Sequence, residues 1–162
     1  MNQEIERKYL LADDSWRNLV TGVQHIRQGY LSLDPDRTIR VRRKDNQAFI
    51  TIKGRNREGG ISHFEWEHEI SLADAEALFP LCLNPIIDKH RHLVPWQNFT
   101  IEIDVFHADN EGLVLAEIEL PSENTPVSLP PFITSEVTDD SRYQNSNLSV
   151  HPYTSWGLEP DN

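Results

Sequence analysis

Hydrophobic and polar residues alternate with a period of two through most of the chain, the pattern of strands that bury one face. Segments 5–11, 23–31, 38–43, 48–53, 63–70, 88–94, 99–106 and 113–120 read as strands. Turn residues separate them at Asp34-Pro35-Asp36, Asp45-Asn46, Gly59-Gly60, Pro95-Trp96 and Asn110-Glu111-Gly112. Helices are expected over 13–20 and 73–81, with Ser71 placed to cap the second and Asp74 and Glu76 favourable in its first turn. The stretch Leu120-Pro121-Ser122-Glu123-Asn124-Thr125-Pro126, followed by Pro130-Pro131, reads as an irregular connection with room for a short helix. The expectation is a mainly antiparallel β sheet with a few short helices in one domain, residues 1–162.

Residues two apart on a strand share a face. Glu4, Glu6 and Lys8 therefore lie together, opposite Ile5 and Tyr9, and Arg40 and Arg42 lie opposite Ile39 and Val41. Lys53 aligns with Thr51 and Phe49, Glu65 with Glu67 and Glu69, and Lys89 with Arg91. Glu102 aligns with Asp104, and Glu117 with Glu119. A half-exposed sheet with a wetted charged face accounts for any one of these strands. Seven such strands, with charges paired at strict spacing, suggest more. In a closed barrel one set of faces lines the lumen. Charges there need water, partners or an ionic ligand, and a polyanion with divalent metal would satisfy both signs. Periodicity alone does not choose which face turns inward.

Composition narrows the classes. The length of 162 residues suits one compact domain, with 38% hydrophobic and 25% charged residues. No run approaches the roughly 20 apolar residues of a membrane span, and the first eight residues lack the apolar region of a secretory signal. No membrane association is expected. Cys82 stands alone, so an intrachain disulfide is excluded and a cysteine-based metal site is disfavoured. A reducing cytoplasm fits, with Cys82 expected as a small core residue on a helix. The net charge of −11 argues against a general nucleic-acid surface, although a local cluster of bases still suits a polyphosphate.

Glu4-Ile5-Glu6-Arg7-Lys8 resembles the ExExK signature of the CYTH family, also called triphosphate tunnel metalloenzymes. Further segments follow in that family's order. Gln28-Gly29-Tyr30-Leu31 resembles its Q-G-Y-L strand, Thr38-Ile39-Arg40-Val41-Arg42 its R-x-R strand, and Thr51-Ile52-Lys53-Gly54 its T-x-K-G strand. Glu65-Trp66-Glu67, Lys89-His90-Arg91, Glu102-Ile103-Asp104 and Glu117-Ile118-Glu119 continue the series. Val137-Thr138-Asp139-Asp140-Ser141-Arg142-Tyr143-Gln144-Asn145 resembles the closing V-T-x-D-x-R-Y-x-N box. The set spans nearly the whole chain, and short bacterial inorganic triphosphatases are the nearest pattern.

The resemblance implies a closed antiparallel tunnel barrel of eight strands, with a charged lumen and a few peripheral helices. It implies hydrolysis of inorganic triphosphate, or of another small molecule bearing a triphosphate, with Mg²⁺ or Mn²⁺ as cofactor. Glu4, Glu6, Glu117 and Glu119 are the metal-ligand candidates, with Glu65, Glu67 and Asp104 in supporting positions or at a second metal. Lys8, Arg40, Arg42, Lys53, Lys89, Arg91 and Arg142 would bind phosphate oxygens. Lys8 and Lys89 are also the catalytic candidates. Alternatives on the same scaffold are a class IV adenylyl cyclase and a thiamine triphosphatase; a non-catalytic polyphosphate sensor is a different class. A homodimer stays open as an assembly. His63 stands where the family commonly has Arg, which bears on affinity, pH optimum or substrate choice. His90 and His92 face away from Lys89 and Arg91 and are expected as surface residues, since no third His or Cys nearby completes a zinc set. The four tryptophans show no regular spacing and are expected to pack. No glycine-rich phosphate loop is present.

Overall fold

The computed structural model describes residues 5–55, 63–122 and 124–157. Among these residues nine strands form one antiparallel sheet. They are β1 (Ile5–Leu11), β2 (Gly22–Ser32), β3 (Thr38–Lys44), β4 (Gln47–Arg55), β5 (His63–Ile70), β6 (Leu83–Trp96), β7 (Phe99–Phe106), β8 (Val114–Leu120) and β9 (Ile133–Glu136). Their order across the sheet is β5-β4-β3-β2-β6-β7-β8-β1-β9. β-Branched and aromatic residues supply the buried positions, and the connections are mostly short hairpins. The β3–β4 hairpin turns at Asp45 with φ of 53°, a left-handed conformation that Asp tolerates.

Two features of the expected barrel are corrected. The sheet has nine strands rather than eight, and it is open. Closure would require β5 to hydrogen-bond with the outer edge of β1, where β9 instead pairs along the C-terminal part through Tyr9↔Glu136 and Leu11↔Ile133. β9 is only four residues long, and it lies just beyond the proline-rich stretch read as irregular. β5 remains an edge, defended by the exposed carboxylates of Glu65, Glu67 and Glu69. β6 also runs beyond its expected 88–94 at both ends, carrying the turn from Pro95-Trp96 to Gln97, where φ is 55°.

The helices are shorter than expected. Residues 13–20 contain a 3-10 turn, Ser15–Leu19, because Val20 is already extended and β2 begins at Gly22. The second helix is α1 (Leu72–Leu78), capped as anticipated by the Ser71 hydroxyl accepting from the Asp74 amide. Pro80 converts its end into the 3-10 turn Phe79–Leu81. Cys82 is buried just past that turn rather than within a helix. The helix α2 (Asn145–Val150) follows a 3-10 turn at Ser141–Tyr143.

Hydrophobic packing divides between the two sides of the sheet. Tyr9, Val94, Ile101, Ile103, Ala116 and Ile118 alternate with the charged residues of β1 and β6 to β8, and form a core with Trp16 and Phe132. Burying each such large side chain contributes roughly 1.5–3 kcal/mol. α1 covers the corresponding side of β3 and β4 through Val41, Ala48, Ala75, Phe79 and Cys82. On the opposite, charged side, Tyr143 and Leu148 cover one end by packing on Ile87, Phe106, Leu113 and Leu115. The rest of that face keeps its ionic groups.

Candidate active site

Strand register gathers the charged residues. Arg91 lies directly across from Asp104, Glu102 from Glu117, Glu117 from Lys8, and Glu119 from Glu6. On the other half, Gln28 lies across from Arg42, Tyr30 from Arg40, and Thr51 from both Arg40 and Glu67. Because directly opposed residues share a face, these groups converge on one side of the sheet.

At the centre, Asp104 is 1% exposed and Lys89 is fully buried. Lys89 Nζ lies 2.8 Å from Asp104 Oδ2, and Arg91 donates to both Asp104 oxygens at 2.8 and 3.0 Å. Arg91 also donates to Glu102 at 3.1 Å and lies 3.7 Å from Glu117. Lys8 Nζ lies 3.8 Å from the other Glu117 oxygen. Burial by itself would raise the Asp104 carboxyl, but Lys89 and Arg91 hold it well below the usual carboxylate range. Burial pulls the Lys89 ammonium below its ordinary value despite the attraction of Asp104. Burial also disfavours the Arg91 cation, yet Asp104, Glu102 and Glu117 together hold its pKa above the ordinary arginine value.

Arg42 is different. Burial, and then the neighbouring Arg40 and Arg91, bring its pKa down to about 10. Asp104 and Glu67 pull the other way more weakly, and among the described residues no carboxylate lies within ion-pair distance of it. The Nε atoms of Arg40 and Arg42 and the Nε2 atom of Gln28 are buried without a hydrogen-bond partner. This is an electropositive region short of acceptors, on the same face as a carboxylate-rich one.

Arg40 reaches Thr51 at 3.5 Å and Glu67 at 3.8 Å, and Thr51 donates to Glu67 at 2.7 Å. Lys53, more exposed, lies 4.0 Å from Glu65 near the β5 edge. Tyr30, Thr38, Arg40, Thr51 and Lys53 line a cavity of about 380 Å³, closed on one side by Gln144 and Ser146. Arg142 lies apart from this cluster: its guanidinium is 61% exposed, held by Asp140 at 2.6 Å, and set beside the Trp156 ring at 5.2 Å.

For the metal candidates, Glu4 lies outside the described residues. Glu6 and Glu119 are exposed and directly opposed near the end of β1 and β8, and Glu117 is buried one step inward. Their all-oxygen chemistry suits a hard divalent cation, and opposed carboxylates gain from one between them. Among the described residues, no three potential ligands already converge on a single ion.

Sequence reasoning missed several contributors. Gln28 and Thr51 follow the face alternation but carry no charge to draw attention. Glu102 was visible as the alignment partner of Asp104, and Asn145 closed the C-terminal box without a role. The backbone oxygen of Tyr143, which accepts from Lys8 at 3.2 Å, has no sequence signal. His63 is a β5 residue whose side chain is not described. His90 is half-buried rather than superficial, stacked on His25 at 4.5 Å and 2.7 Å from His107. Two further histidines therefore stand beside it, His25 stacked and His107 edge-on, and they form no metal-holding group among the described residues. Trp16 packs in the core as expected, whereas Trp66 is 44% exposed and stacks on His68.

No helix among the described residues is long and apolar enough to cross a membrane. An inorganic triphosphatase of Acetivibrio thermocellus is 45% identical over 154 residues, spanning 94% of this chain and 97% of that protein. One from Nitrosomonas europaea is 35% identical over 156 residues, spanning 91% and 97%. A crystal structure of an inorganic triphosphatase matches with a TM-score of 0.71 at 30% identity, covering 93% of this chain and 96% of that one. The CYTH domain model matches residues 2–152, and with these relatives it establishes that the chain belongs to the CYTH domain family.

Proposed function

We propose that the protein hydrolyses inorganic triphosphate to orthophosphate and pyrophosphate, using Mg²⁺ or Mn²⁺. What carries this reading is Arg42, a largely buried cation beside two other arginines, whose Nε has no hydrogen-bond partner and whose burial Asp104 and Glu67 offset only in part. Such a charge is costly to keep, and a compact anion carrying several charges relieves it. The two relatives named inorganic triphosphatase, 45% and 35% identical over nearly their full lengths, support the same substrate.

Transfer of a terminal phosphoryl group to water depends mainly on positioning and charge stabilisation. Arg40, Arg42 and Lys53 bind the phosphate chain from the cavity side, and Arg91 orients the buried carboxylates around it. Lys8 and Lys89 offset the negative charge that grows on the attacking water and the departing pyrophosphate. Glu6, Glu117 and Glu119, with Glu4, would hold the divalent cation. Bound there, the cation would supply Lewis-acid stabilisation and a more acidic water. Glu67 steadies Arg40 through Thr51, Glu65 accompanies Lys53, and Asp104 fixes Lys89 and Arg91. Arg142 serves the phosphate chain only if its turn swings from Asp140.

Purified protein given tripolyphosphate, ATP, GTP or thiamine triphosphate, each with Mg²⁺ and with Mn²⁺, tests this. The expected result is fastest release of orthophosphate from tripolyphosphate, leaving pyrophosphate. Cyclic AMP formed from ATP at a comparable rate, or saturable binding without turnover, would overturn it.

A further inference from the structure

We infer that Asn145 is a positioning residue that holds the Lys89 ammonium, and that the turn entering α2 anchors Lys89 and Lys8 across the charged face; the consequence for turnover rests on the triphosphatase reading above. Lys89 belongs to β6 and Lys8 to β1, with β7 and β8 between them in the sheet. Their ammonium groups both donate to the C-terminal segment where it crosses this face. The Tyr143 carbonyl accepts from Lys8 Nζ at 3.2 Å, and Asn145 Oδ1 accepts from Lys89 Nζ at 3.4 Å. Two acceptors two residues apart thus tie down lysines from strands that are not neighbours in the sheet.

A fully buried ammonium needs acceptors for its three N–H groups. Asp104 supplies one and Asn145 another, while the Phe106 ring lies 5.2 Å away. The chemistry of the second acceptor matters. An amide oxygen directs an N–H without cancelling the positive charge, whereas another carboxylate would compete with phosphate for the cation. The turn is itself well anchored, since Tyr143 and Leu148 pack into the cluster with Ile87 and Phe106. The residues on either side of Asn145, Gln144 and Ser146, border the cavity that contains Arg40 and Lys53. One short segment therefore forms a wall of that cavity and also aims the buried lysine.

The test compares wild type with Asn145→Ala, the near-isosteric Asn145→Asp, and Asn147→Ala. Asn147 belongs to the same segment and donates to the Ser141 carbonyl. Each protein is assayed with tripolyphosphate and Mg²⁺ or Mn²⁺, and its lysine ammonium groups are observed by ¹⁵N NMR. Asn145→Ala is expected to lower kcat about tenfold with KM within about twofold, and to lose or shift the Lys89 ammonium signal. Asn145→Asp should keep that signal but raise KM several-fold, and Asn147→Ala should stay within about twofold of wild type per folded molecule. An unchanged Lys89 signal in folded Asn145→Ala would overturn the inference, as would an equal loss of kcat in Asn147→Ala. If wild type hydrolyses no triphosphate, the functional reading falls by itself, and the Lys89 signal still decides the positioning role.

Discussion

Lys89 Nζ and Asp104 Oδ2 lie 2.8 Å apart with both side chains about 1% exposed, so each charge is desolvated and each depends on the other. Arg91 completes the arrangement from the same strand as Lys89. Removing one partner of a buried pair leaves the other uncompensated. Asp104→Ala should therefore destabilise the fold by about 3–5 kcal/mol, measured by urea unfolding at neutral pH.

The same carboxylate sets an acid limit. Its folded pKa is depressed, so its stabilising contribution is complete above its unfolded value of ~3.9 and is lost as pH falls through the folded value. Unfolding free energy should decline steeply below about pH 4. In Asp104→Asn that acid-dependent slope should flatten; an unchanged slope in folded protein would assign it to other carboxylates.

Arg42 presents the opposite case, a cation that weakens the fold. With its folded pKa lowered to about 10, the charged form carries its full penalty below that pH and sheds it only above. Arg42→Met should leave stability unchanged or raise it by about 1–3 kcal/mol, while raising KM for tripolyphosphate at least tenfold. Thermal unfolding and steady-state kinetics on the same preparation provide the check. A variant less stable than wild type, with KM intact, would remove Arg42 from the anion site.

Metal dependence is addressed through Glu117. A chelator should abolish hydrolysis, and Mg²⁺ or Mn²⁺ should restore it. Glu117→Ala should lower turnover at least ~100-fold if the residue holds catalytic metal. Normal turnover in a folded variant would free Glu117 from that role.

Gly29 makes a purely structural prediction. A Cβ there would come within 2.6 Å of Ile86 Cδ1 and 2.9 Å of Cys82 Cβ. Gly29→Ala should cost about 1–3 kcal/mol through overpacking beneath the end of α1, read as a lower denaturant midpoint. Equal stability would mean that Ile86 and Cys82 shift freely.

Much of this molecule is legible in its residue order. Strand β7 has the limits that alternation predicts, and β1 and β5 end where it predicts, because a half-buried strand needs apolar residues at every second position. The shared faces of Arg40 with Arg42, and of Lys89 with Arg91, follow from the same geometry. Chain order could not specify pairing across distance. Whether β5 meets β1 is not written in the alternation of either strand, and the four residues of β9 take the Tyr9–Leu11 part of that edge. Local pattern also could not distinguish a compensated charge from an uncompensated one. Arg91 and Arg42 look alike along their strands, but only the register across β6 and β7 gives Arg91 the carboxylates of Asp104 and Glu102, while Arg42 has glutamine and phenylalanine opposite. Alternation is a property of neighbours two residues apart, whereas compensation of buried charge depends on strands brought together from distant parts of the chain.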